Sequence, residues 1–501
     1  MTLHIVRRIR DNLHGSINLT QLENRILDHP ILQRLRRIKQ TSFLNLVFPG
    51  ATHTRLEHSL GVLYLADKAW EKIAQNQARL RSSATSIQNY AQKEQTLSAY
   101  TQGHLAPTFQ DFDTIFQSDY LRQAIRLAAL LHDIGHPPYS HSGEIFLPSL
   151  QTVKEASLTP HKVLQNSLFE ESRTQQSKPV RHETYTLLLL FRLFEDLGLP
   201  LESSSDPEMV SAQDIAAIIH PQIKPTSTSI LTATGTQSLC HELISGDIDV
   251  DRMDYLLRDS KESGVIYGIF DVDRILDSLA VYKGKKDGEL HIAIVYSGLA
   301  AFDDYLRARQ SMYTQLYFHK TSVSCEAMLR EIRAQVPQWH LPVDPDEYIK
   351  IDETNFLSEL LEAHQNQPSK ANEDSLPFKE LTESLFLHRK LWRRVYEDIY
   401  TDASHRDTSF ELAFTQELQR LHIPYQLVSS SNSLASFLST TPHKQRNLAL
   451  IKKNQRQVPI LQPLTKFSQL ASDTRQNLTI TRIYVPAEYK SQALECYRMG
   501  S

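Results

Sequence analysis

The hydrophobic positions along this chain recur mostly at helical spacing. Residues 20–40 and 57–75 alternate apolar and charged positions in a way that predicts amphipathic helices. Residues 119–134 form a third helix whose second half is apolar on every side, so we expect it to be buried, and Gly135 and Pro137 follow it. Further helices are predicted near 182–197, 211–219, 237–245 and 249–261, with a long one over 298–335.

Short β-strands are expected in two places. Residues 279–296 contain apolar runs on both sides of a Gly-Lys-Lys-Asp-Gly turn, which predicts a hairpin. From residue 408 a helix is followed by the β-like runs YQLV, LALI, VPIL and ITRIYV, and then by a terminal helix from Ala487. The predicted fold class is mainly α, with a helical core, a small β-hairpin and a small α/β C-terminal lobe.

The same pattern predicts where the chain divides. Prolines cluster after residue 335, and helical stretches are expected near 352–365 and 374–398. The predicted units are a core at 1–335, a helical connection at 336–405 and the small lobe at 406–501. Polar segments near 76–115 and 151–180 are interpreted as insertions in the core, the first partly helical and partly mobile.

Composition excludes several classes of protein. Over 501 residues the formal net charge is -4 at pH 7, so no global positive field would attract nucleic acid or an anionic membrane. Neither partner is expected, although a local basic cleft is compatible with this balance. The three cysteines are far apart and form no Cys-x-x-Cys pair, which argues against a zinc ribbon or a disulfide framework.

No secretion signal is expected from the N-terminal residues. Residues 1–18 are charged and lack the apolar stretch of a signal peptide. No run approaches the roughly 20 apolar residues of a membrane span. We therefore expect the protein to be cytoplasmic.

Histidine is the unusual residue of the composition. The chain has 21, and several stand beside Asp or Glu in short segments. Imidazole and carboxylate together suit divalent metals and proton transfer near neutral pH. His132-Asp133 ends an apolar helix, where a buried polar pair needs compensation. On this segment alone, a histidine bonded to a backbone carbonyl, with Asp133 capping the next turn, is the better interpretation.

Two further segments favour a metal instead. Residues 247–259 contain five acidic residues, including Asp251 at a helix start, which is more than a cap requires. His58 lies in the first turn of an apolar helix, where positive charge is unfavourable and a neutral, metal-bound imidazole would remove the conflict. His58, His132, Asp133 and Asp251 would then hold one divalent ion with open positions for water and phosphate. These ligands accept Mg, Mn, Fe, Co, Ni or Zn.

The order of these segments resembles the HD phosphohydrolase superfamily, and within it the deoxynucleoside triphosphate triphosphohydrolases. The similar sequence segments cover roughly residues 7–335 with gaps. They include VFPGATHTRLEHSLGVLYLA, LLHDIGHPPYSHSGE and DIDVDRMDYLLRDS. Residues 380–495 also resemble the family's C-terminal lobe. The resemblance implies hydrolysis of dNTPs to deoxynucleoside and inorganic triphosphate, with the four residues above as metal ligands and additional Mg accompanying the nucleotide.

The resemblance also implies roles for further residues. Arg55 would bind the phosphate next to the scissile bond, and His141 would protonate the leaving 5'-oxygen. His136 and His182 would line the phosphate site, near Glu144, which stands where vertebrate members have Asp. The remaining substrate contacts are implied at Gln40, Arg252, Tyr255, Asp259, Arg309 and Tyr317.

A second nucleotide site is implied near the N-terminus. Asp28, Gln33 and Arg36 match the family's guanine-recognising activator site, with Arg7 at a position where the family has Lys. Such allosteric sites lie between subunits, so activation by GTP or a dNTP and a homo-oligomer, either a dimer or a tetramer, are expected together. The alternative is that Asp28 caps a helix while Gln33 and Arg36 lie on its solvated side.

Other functions stay open at this point. The same metal could serve an HD-type phosphodiesterase, a nucleotidase or a nuclease, and a non-catalytic nucleotide sensor is a further alternative. Arg55, Tyr255 and Asp259 favour a triphosphate nucleotide as substrate. The complete ligand set and His141 argue against a non-catalytic role. Analysis of the products separates these alternatives.

Overall fold

The centre of the core is a long helix, Arg55–Lys93, that packs against helices Asp119–Leu131 and Val250–Ser263. Helix Asp119–Leu131 is buried along almost its whole length, as its apolar second half predicts. Directly after it, Gly135 lets the chain pass close to helix His182–Asp196, because a Cβ at this position would lie 2.1 Å from the Thr186 nitrogen. The end of the buried helix is thereby fixed against its neighbour.

The computed structural model describes residues 3–93, 112–156, 179–203, 206, 209–284, 287–366, 376–401, 406–433, 448–453, 459–472 and 477–500. Its α-helices are Gln21–Leu27, Pro30–Gln33, Arg55–Lys93, Asp113–Phe116, Asp119–Leu131, Ser140–Gly143, Leu150–Glu155, His182–Asp196, Ala212–Ile219, Ile230–Thr234, Gln237–Ser245, Val250–Ser263, Val272–Leu276, Leu299–Met312, Lys320–Gln335, Pro345–Tyr348, Phe356–Asn366, Phe378–Phe386, Ser409–Arg420, Gln469–Ser472 and Lys490–Gly500. Its strands are β1 Ile5–Asp11, β2 Gly15–Thr20, β3 Leu279–Lys283, β4 Leu290–Val295, β5 Arg393–Tyr400, β6 Gln426–Ser433, β7 Ala449–Lys453, β8 Pro459–Pro463 and β9 Asn477–Val485.

The strands form three small sheets at the edge of this helical body. β1 and β2 make an antiparallel pair, and β5, β9 and β6 make a three-stranded sheet in that order. The remaining sheet has the order β3-β4-β7-β8, in which β7 runs parallel to β4. The predicted hairpin is thus extended by strands from the C-terminal part of the chain. A mainly α fold with small β elements is confirmed, and the proposed domain boundaries stay a prediction.

The pair β1–β2 was not predicted. β1 is largely exposed and carries arginines at three of its seven positions, so it shows no regular apolar alternation. The turn between the strands is set by Asp11, whose side chain accepts hydrogen bonds from the amides of Leu13 and His14. Gly15 follows with a φ of 80°. An aspartate four residues ahead of a glycine was the local sign of this turn.

Three predicted helices differ from the structure. Residues 20–40 are divided at Pro30, and 298–335 is divided by the π-helical turn Tyr313–Tyr317. The helix predicted over 374–398 is wrong beyond Phe386, because residues from Arg393 form β5 and pair with β9. Such long-range pairing overrides a local helical pattern.

The two predicted polar insertions lie only partly within the described residues. Helix Arg55–Lys93 continues through the start of the segment predicted at 76–115, so that part is helical. Residues 94–111 and 157–178, on which the rest of the two predicted insertions falls, lie outside the described residues. Among the helices that are described, none is long and apolar enough to cross a membrane.

Candidate active site

A cavity of about 400 Å³ opens beside the end of the buried helix. Residues of the predicted site line it, together with others from the turns around them: Gln40, Thr41, Ser42, Leu44, Arg55, His132, Asp133, His136, Ser140, His141, Ser142, His182, Glu183, Ile219, Ile244, Ser245, Asp251, Tyr255, Asp259, Tyr313, Tyr317, Ser322 and Glu326. Segments far apart in sequence therefore meet at one place, as the resemblance implied.

The four predicted metal ligands converge at this cavity. His58 Nε2 lies 3.0 Å from Asp251 Oδ1 and 3.6 Å from Asp133 Oδ2. His132 Nε2 lies 3.5 Å from Asp133 Oδ2 and 3.6 Å from Asp251 Oδ1. Donor atoms about 2.1 Å from one common ion lie roughly 3 Å or more from one another. The donor atoms of His58, His132 and Asp251 all lie within 4.8 Å of one another and could hold one divalent ion, with Asp133 beside them.

The hydrogen bonds of the two histidines leave the same nitrogen free on each ring. His58 Nδ1 lies 2.8 Å from Asp254 Oδ2, and His132 Nδ1 lies 2.8 Å from the Ala129 carbonyl oxygen. Because a carbonyl or carboxylate oxygen accepts, each Nδ1 carries the proton and each Nε2 offers a lone pair. Both Nε2 atoms are buried without a hydrogen-bond partner among the described residues. A metal ion would satisfy both.

The electrostatics of the ligand set favour a positive charge at its centre. Burial lowers the pKa of His58, but Asp251 and Asp254 outweigh it and raise the pKa to about 10. Burial raises the pKa of Asp251, but His132 and His58 outweigh it and hold the pKa well below its usual value. A proton on His58 Nε2 would occupy the place of a ligand bond, so metal and proton compete there. The donor set thus fits a divalent cation.

Arg55 lies next to these ligands. Its guanidinium contacts Asp133 Oδ2 directly and donates from Nε to Ser140 Oγ over 2.8 Å. Ser140 in turn donates to the Lys39 carbonyl oxygen over 2.6 Å. The arginine is buried, and it adds a fixed positive charge to the cavity wall.

The other predicted histidines form a second cluster along the same wall. The rings of His136 and His182 are stacked with centroids 3.7 Å apart, and His141 meets them edge-on. Glu144 Oε1 lies 3.0 Å from His141 Nδ1 and 2.5 Å from His182 Nδ1. Burial raises the pKa of Glu144, but these two histidines outweigh it and hold the pKa well below its usual value.

Within this cluster the histidines differ in environment. The His141 side chain is 71% exposed, whereas His136 is almost fully buried. Burial and the neighbouring Arg55 and His182 charges lower the pKa of His136 well below its usual value. His136 is therefore a neutral ring near neutral pH, while His141 is open to solvent and held by a carboxylate.

Aromatic residues and Asp259 line a further part of the cavity. The Tyr317 hydroxyl donates to Asp259 Oδ2 over 2.7 Å, and His53 Nε2 lies 2.7 Å from the other carboxylate oxygen. The Tyr255 and Tyr313 hydroxyls are 3.4 Å apart. The π-helical turn places both Tyr313 and Tyr317 at the cavity, a common use of such turns at functional sites.

Two predicted substrate contacts do not line the cavity. Arg252 Nη1 contacts Asp249 Oδ2 at 2.6 Å and also the Gly246 carbonyl, so its charge is directed along its own helix start. Arg309 is buried with its guanidinium 5.9 Å from the centre of the Tyr313 ring. Their substrate roles stay predictions.

Sequence reasoning missed several residues that support this site. Asp254 belonged to the acidic run but was given no role, and it accepts from His58 while contacting His14 Nε2 at 2.6 Å. His53, which holds Asp259, lies two residues before Arg55 in a matched segment. The helical spacing of Asp251 and Asp254 was the available sign, because residues three apart share one helix face.

The residues of the predicted activator site form two small groups. Arg7 Nη1 donates to Asp28 Oδ1 over 3.1 Å and to Asn24 Oδ1 over 3.0 Å. Gln33 accepts from Arg36 Nε over 2.8 Å and donates to the Leu27 carbonyl. The residue that caps helix Pro30–Gln33 is His29, so capping by Asp28 is wrong. Nucleotide binding at these residues stays a prediction.

A family model matches the part of the chain that contains most of the candidate metal ligands. Residues 115–259 match the family model described as HD domain. This span contains His132, Asp133 and Asp251, while His58 lies before it. The match confirms that the chain contains an HD domain, as the motifs predicted.

Curated relatives extend the similarity beyond the HD domain. An uncharacterized protein of Methanocaldococcus jannaschii is 31% identical over 322 residues, which cover 64% of this chain and 48% of that protein. The deoxynucleoside triphosphate triphosphohydrolase SAMHD1 of Mus musculus is 27% identical over 405 residues, covering 77% and 50%. The human protein of the same name is 28% identical, covering 76% and 50%. The matches span about half the length of these relatives.

Solved structures share the fold over almost the whole chain. A hypothetical protein from Aquifex aeolicus superposes with a TM-score of 0.63 at 21% identity, covering 98% of this chain and 100% of that one. A phosphohydrolase from Bacteroides thetaiotaomicron gives a TM-score of 0.57 at 22% identity, covering 96% and 99%. At this level of identity the likeness concerns the fold alone.

Proposed function

We propose that this HD-domain protein hydrolyses deoxynucleoside triphosphates to deoxynucleoside and inorganic triphosphate in a metal-dependent reaction. The observation that carries the proposal is that the donor atoms of His58, His132 and Asp251 lie within 4.8 Å of one another, with Asp133 Oδ2 3.6 Å from His58, beside a cavity lined by Arg55 and His141. The relatives named as deoxynucleoside triphosphate triphosphohydrolases supply the substrate class.

The metal would be held by the four converging side chains. When bound, the ion supplies Lewis acidity and lowers the pKa of a coordinated water toward neutrality. The protein's part is to keep both histidines in the required tautomer, which Asp254 and the Ala129 carbonyl do.

The triphosphate needs positive charge and hydrogen-bond donors around it. Arg55 presents a fixed guanidinium beside the ligand set, and arginine suits phosphate because its donors form a planar fork. The neighbouring wall carries His136, His141 and His182 rather than carboxylates alone. A chain of phosphates can therefore lie along this wall, where Arg55 supplies positive charge and the histidine rings supply N–H donors.

The leaving nucleoside needs a proton. As the water oxygen bonds to the α-phosphorus, the bond from phosphorus to the 5'-oxygen breaks, and that oxygen must be protonated. His141 is the exposed histidine of the wall, and Glu144 Oε1 lies 3.0 Å from its Nδ1, which would orient the ring so that Nε2–H serves the leaving oxygen. His182 shares the same Glu144 oxygen and fixes the orientation of that carboxylate.

The sugar fits the aromatic part of the cavity. Asp259 is held on one side by His53 and on the other by the Tyr317 hydroxyl. Its fixed carboxylate can accept a hydrogen bond from a sugar hydroxyl, and a tyrosine ring under the sugar leaves little room for a 2'-hydroxyl. Discrimination of deoxynucleotides from ribonucleotides would arise here.

The test is analysis of products by ion-exchange chromatography, using each dNTP and NTP with several divalent metals. The proposal expects deoxynucleoside and triphosphate in equal amounts. Release of monophosphate or stepwise orthophosphate would point instead to the phosphodiesterase, nucleotidase or nuclease alternatives. Nucleotide binding without turnover would leave the sensor alternative. Activation by GTP or a dNTP through a homo-oligomer is part of the same proposal.

A further inference from the structure

Glu326 is a carboxyl group at the cavity that the proposed reaction does not use. It lies on helix Lys320–Gln335, one turn after Ser322, and both residues line the cavity. Its side chain is half-buried. Among the described residues it forms neither a hydrogen bond nor an ion pair of 4 Å or less. A half-buried carboxyl group that lines a cavity without a protein partner can accept hydrogen bonds from a ligand bound there.

The charges around Glu326 set it apart from the phosphate wall. The cations that act on it are Arg330 and Arg482, which lower its pKa, and neither of them lines the cavity. Arg482 is already bound to Glu397 at 2.6 Å and to the Phe318 carbonyl. Burial outweighs both arginines and raises the pKa of Glu326 to about 7. None of the histidines of the phosphate wall, nor Arg55, acts on this group.

A carboxylate also repels phosphate, so the anionic part of a bound nucleotide must lie away from it. Arg55 and the histidine cluster attract that part. The base, which is the uncharged end of the nucleotide, would then lie on the side of the cavity that carries Glu326. Tyr313 and Tyr317, whose ring centroids are 5.0 Å apart, lie just before this helix and offer faces on which a base can stack.

We propose that Glu326 recognises the base of the nucleotide and favours bases that present N–H donors toward it, guanine above all. The inference rests on the proposed function for its substrate class. Guanine offers N1–H and the 2-amino group side by side, which matches the two oxygens of a carboxylate. Thymine offers a single N–H between two carbonyl oxygens, and those oxygens repel a carboxylate.

Protonation of Glu326 would change which base it favours. A neutral Glu326 has one donor and one acceptor, which match N1 and the 6-amino group of adenine. Guanine is therefore favoured at alkaline pH, and adenine gains relative to guanine as pH falls below about 7.

The experiment compares kcat/KM for dGTP, dATP and dTTP in the wild type and in Glu326→Gln, at pH 6 and pH 8.5. At pH 8.5 the ratio of dGTP to dTTP should fall about tenfold in the variant, as expected for loss of a bidentate base contact. The ratio of dATP to dGTP should depend on pH in the wild type and become flat in the variant. Glu331→Gln is the matched control, because Glu331 lies on the same helix, does not line the cavity and binds Gln426.

Base ratios that agree within twofold between wild type and Glu326→Gln would overturn the inference while the proposed function stands. Failure to hydrolyse any dNTP would overturn the proposed function instead. Calorimetry then still tests Glu326, since the wild type should bind deoxyguanosine more tightly than thymidine and the variant should not. Equal binding of both nucleosides to the wild type would contradict it.

Discussion

Asp254 accepts a hydrogen bond from His58 Nδ1 over 2.8 Å, and thereby turns the opposite nitrogen of that ring toward Asp251. The carboxylate is itself held by Arg258, whose Nε donates to it over 2.9 Å. A Cβ at Gly61 would lie 1.9 Å from Asp254 Oδ1, so helix Arg55–Lys93 can approach this closely only with glycine there. The orientation of one candidate metal ligand thus depends on a residue that would not touch the metal.

The first prediction concerns this support. Asp254→Asn keeps the shape of the side chain but removes the charge that favours the Nδ1–H tautomer of His58, so metal affinity should fall by about 10–100-fold. Metal binding can be measured by titration against a chelator of known affinity. Asp277→Asn is the control, because Asp277 pairs with Lys72 at the surface. Unchanged affinity in Asp254→Asn would show that Asp254 does not orient His58.

A second prediction concerns the proton donor. His141→Ala should lower kcat by about 100- to 10,000-fold while nucleotide affinity changes little, because the proton is needed mainly in the transition state. Single-turnover kinetics and equilibrium binding separate the two effects. His388→Ala, which removes an exposed histidine outside the cavity, should leave both unchanged. A variant at His141 that loses affinity but keeps kcat would assign this residue to binding.

The third prediction concerns stability and pH. The pKa of Glu144 is depressed in the folded protein, so its ion pairs stabilise the fold above its unfolded value near 4.5 and this contribution is lost as pH falls through the depressed folded pKa. The free energy of unfolding of wild type should exceed that of Glu144→Gln at pH 6, and the difference should shrink toward pH 3.

Denaturant titrations at constant ionic strength measure this difference. Glu417→Gln is a suitable reference, because Glu417 is exposed and its pairing with Arg420 is screened by solvent. Stability curves for wild type and Glu144→Gln that run parallel from pH 3 to pH 6 would contradict the proposed pairing of Glu144 with His141 and His182.

A fourth prediction addresses regulation. If GTP or a dNTP binds where Arg7 and Asp28 meet, added nucleotide should raise both oligomer size and turnover, since binding and assembly are linked reciprocally. Asp28→Ala should blunt this response and spare the metal site. Asp304→Ala, which removes another exposed, arginine-paired carboxylate, should not. Sedimentation and rates that are identical with and without every nucleotide tested would end the activator proposal.

The sequence indicated the candidate ligands more readily than the residues that support them. His58, His132 and Asp133 are conspicuous because they interrupt apolar helices, and Asp251 is conspicuous because it belongs to an acidic run. Asp254 and His53 act only through contacts made across the fold. The spacing of apolar residues within one segment does not show which residues from distant segments will contact Asp254 and His53.

Helices and strands were predicted correctly where the local sequence pattern determines them. The buried helix Asp119–Leu131 and the pair β3–β4 follow from periodicity and turn residues. The helix predicted over the residues of β5 is wrong because the pairing with β9 joins residues distant in sequence, for example Tyr400 and Thr479. The π-helical turn Tyr313–Tyr317 was missed for a related reason, since tertiary packing rather than composition inserts the extra residue that aims both tyrosines into the cavity.

The most direct test of the central claim is hydrolysis of a dNTP in oxygen-18 water, followed by mass spectrometry of both products. Attack at the α-phosphorus places one labelled oxygen on the triphosphate and none on the deoxynucleoside, and Asp251→Ala should abolish this reaction together with metal binding. Label on the nucleoside, label distributed over successive orthophosphates, or an unchanged rate in Asp251→Ala would contradict the account.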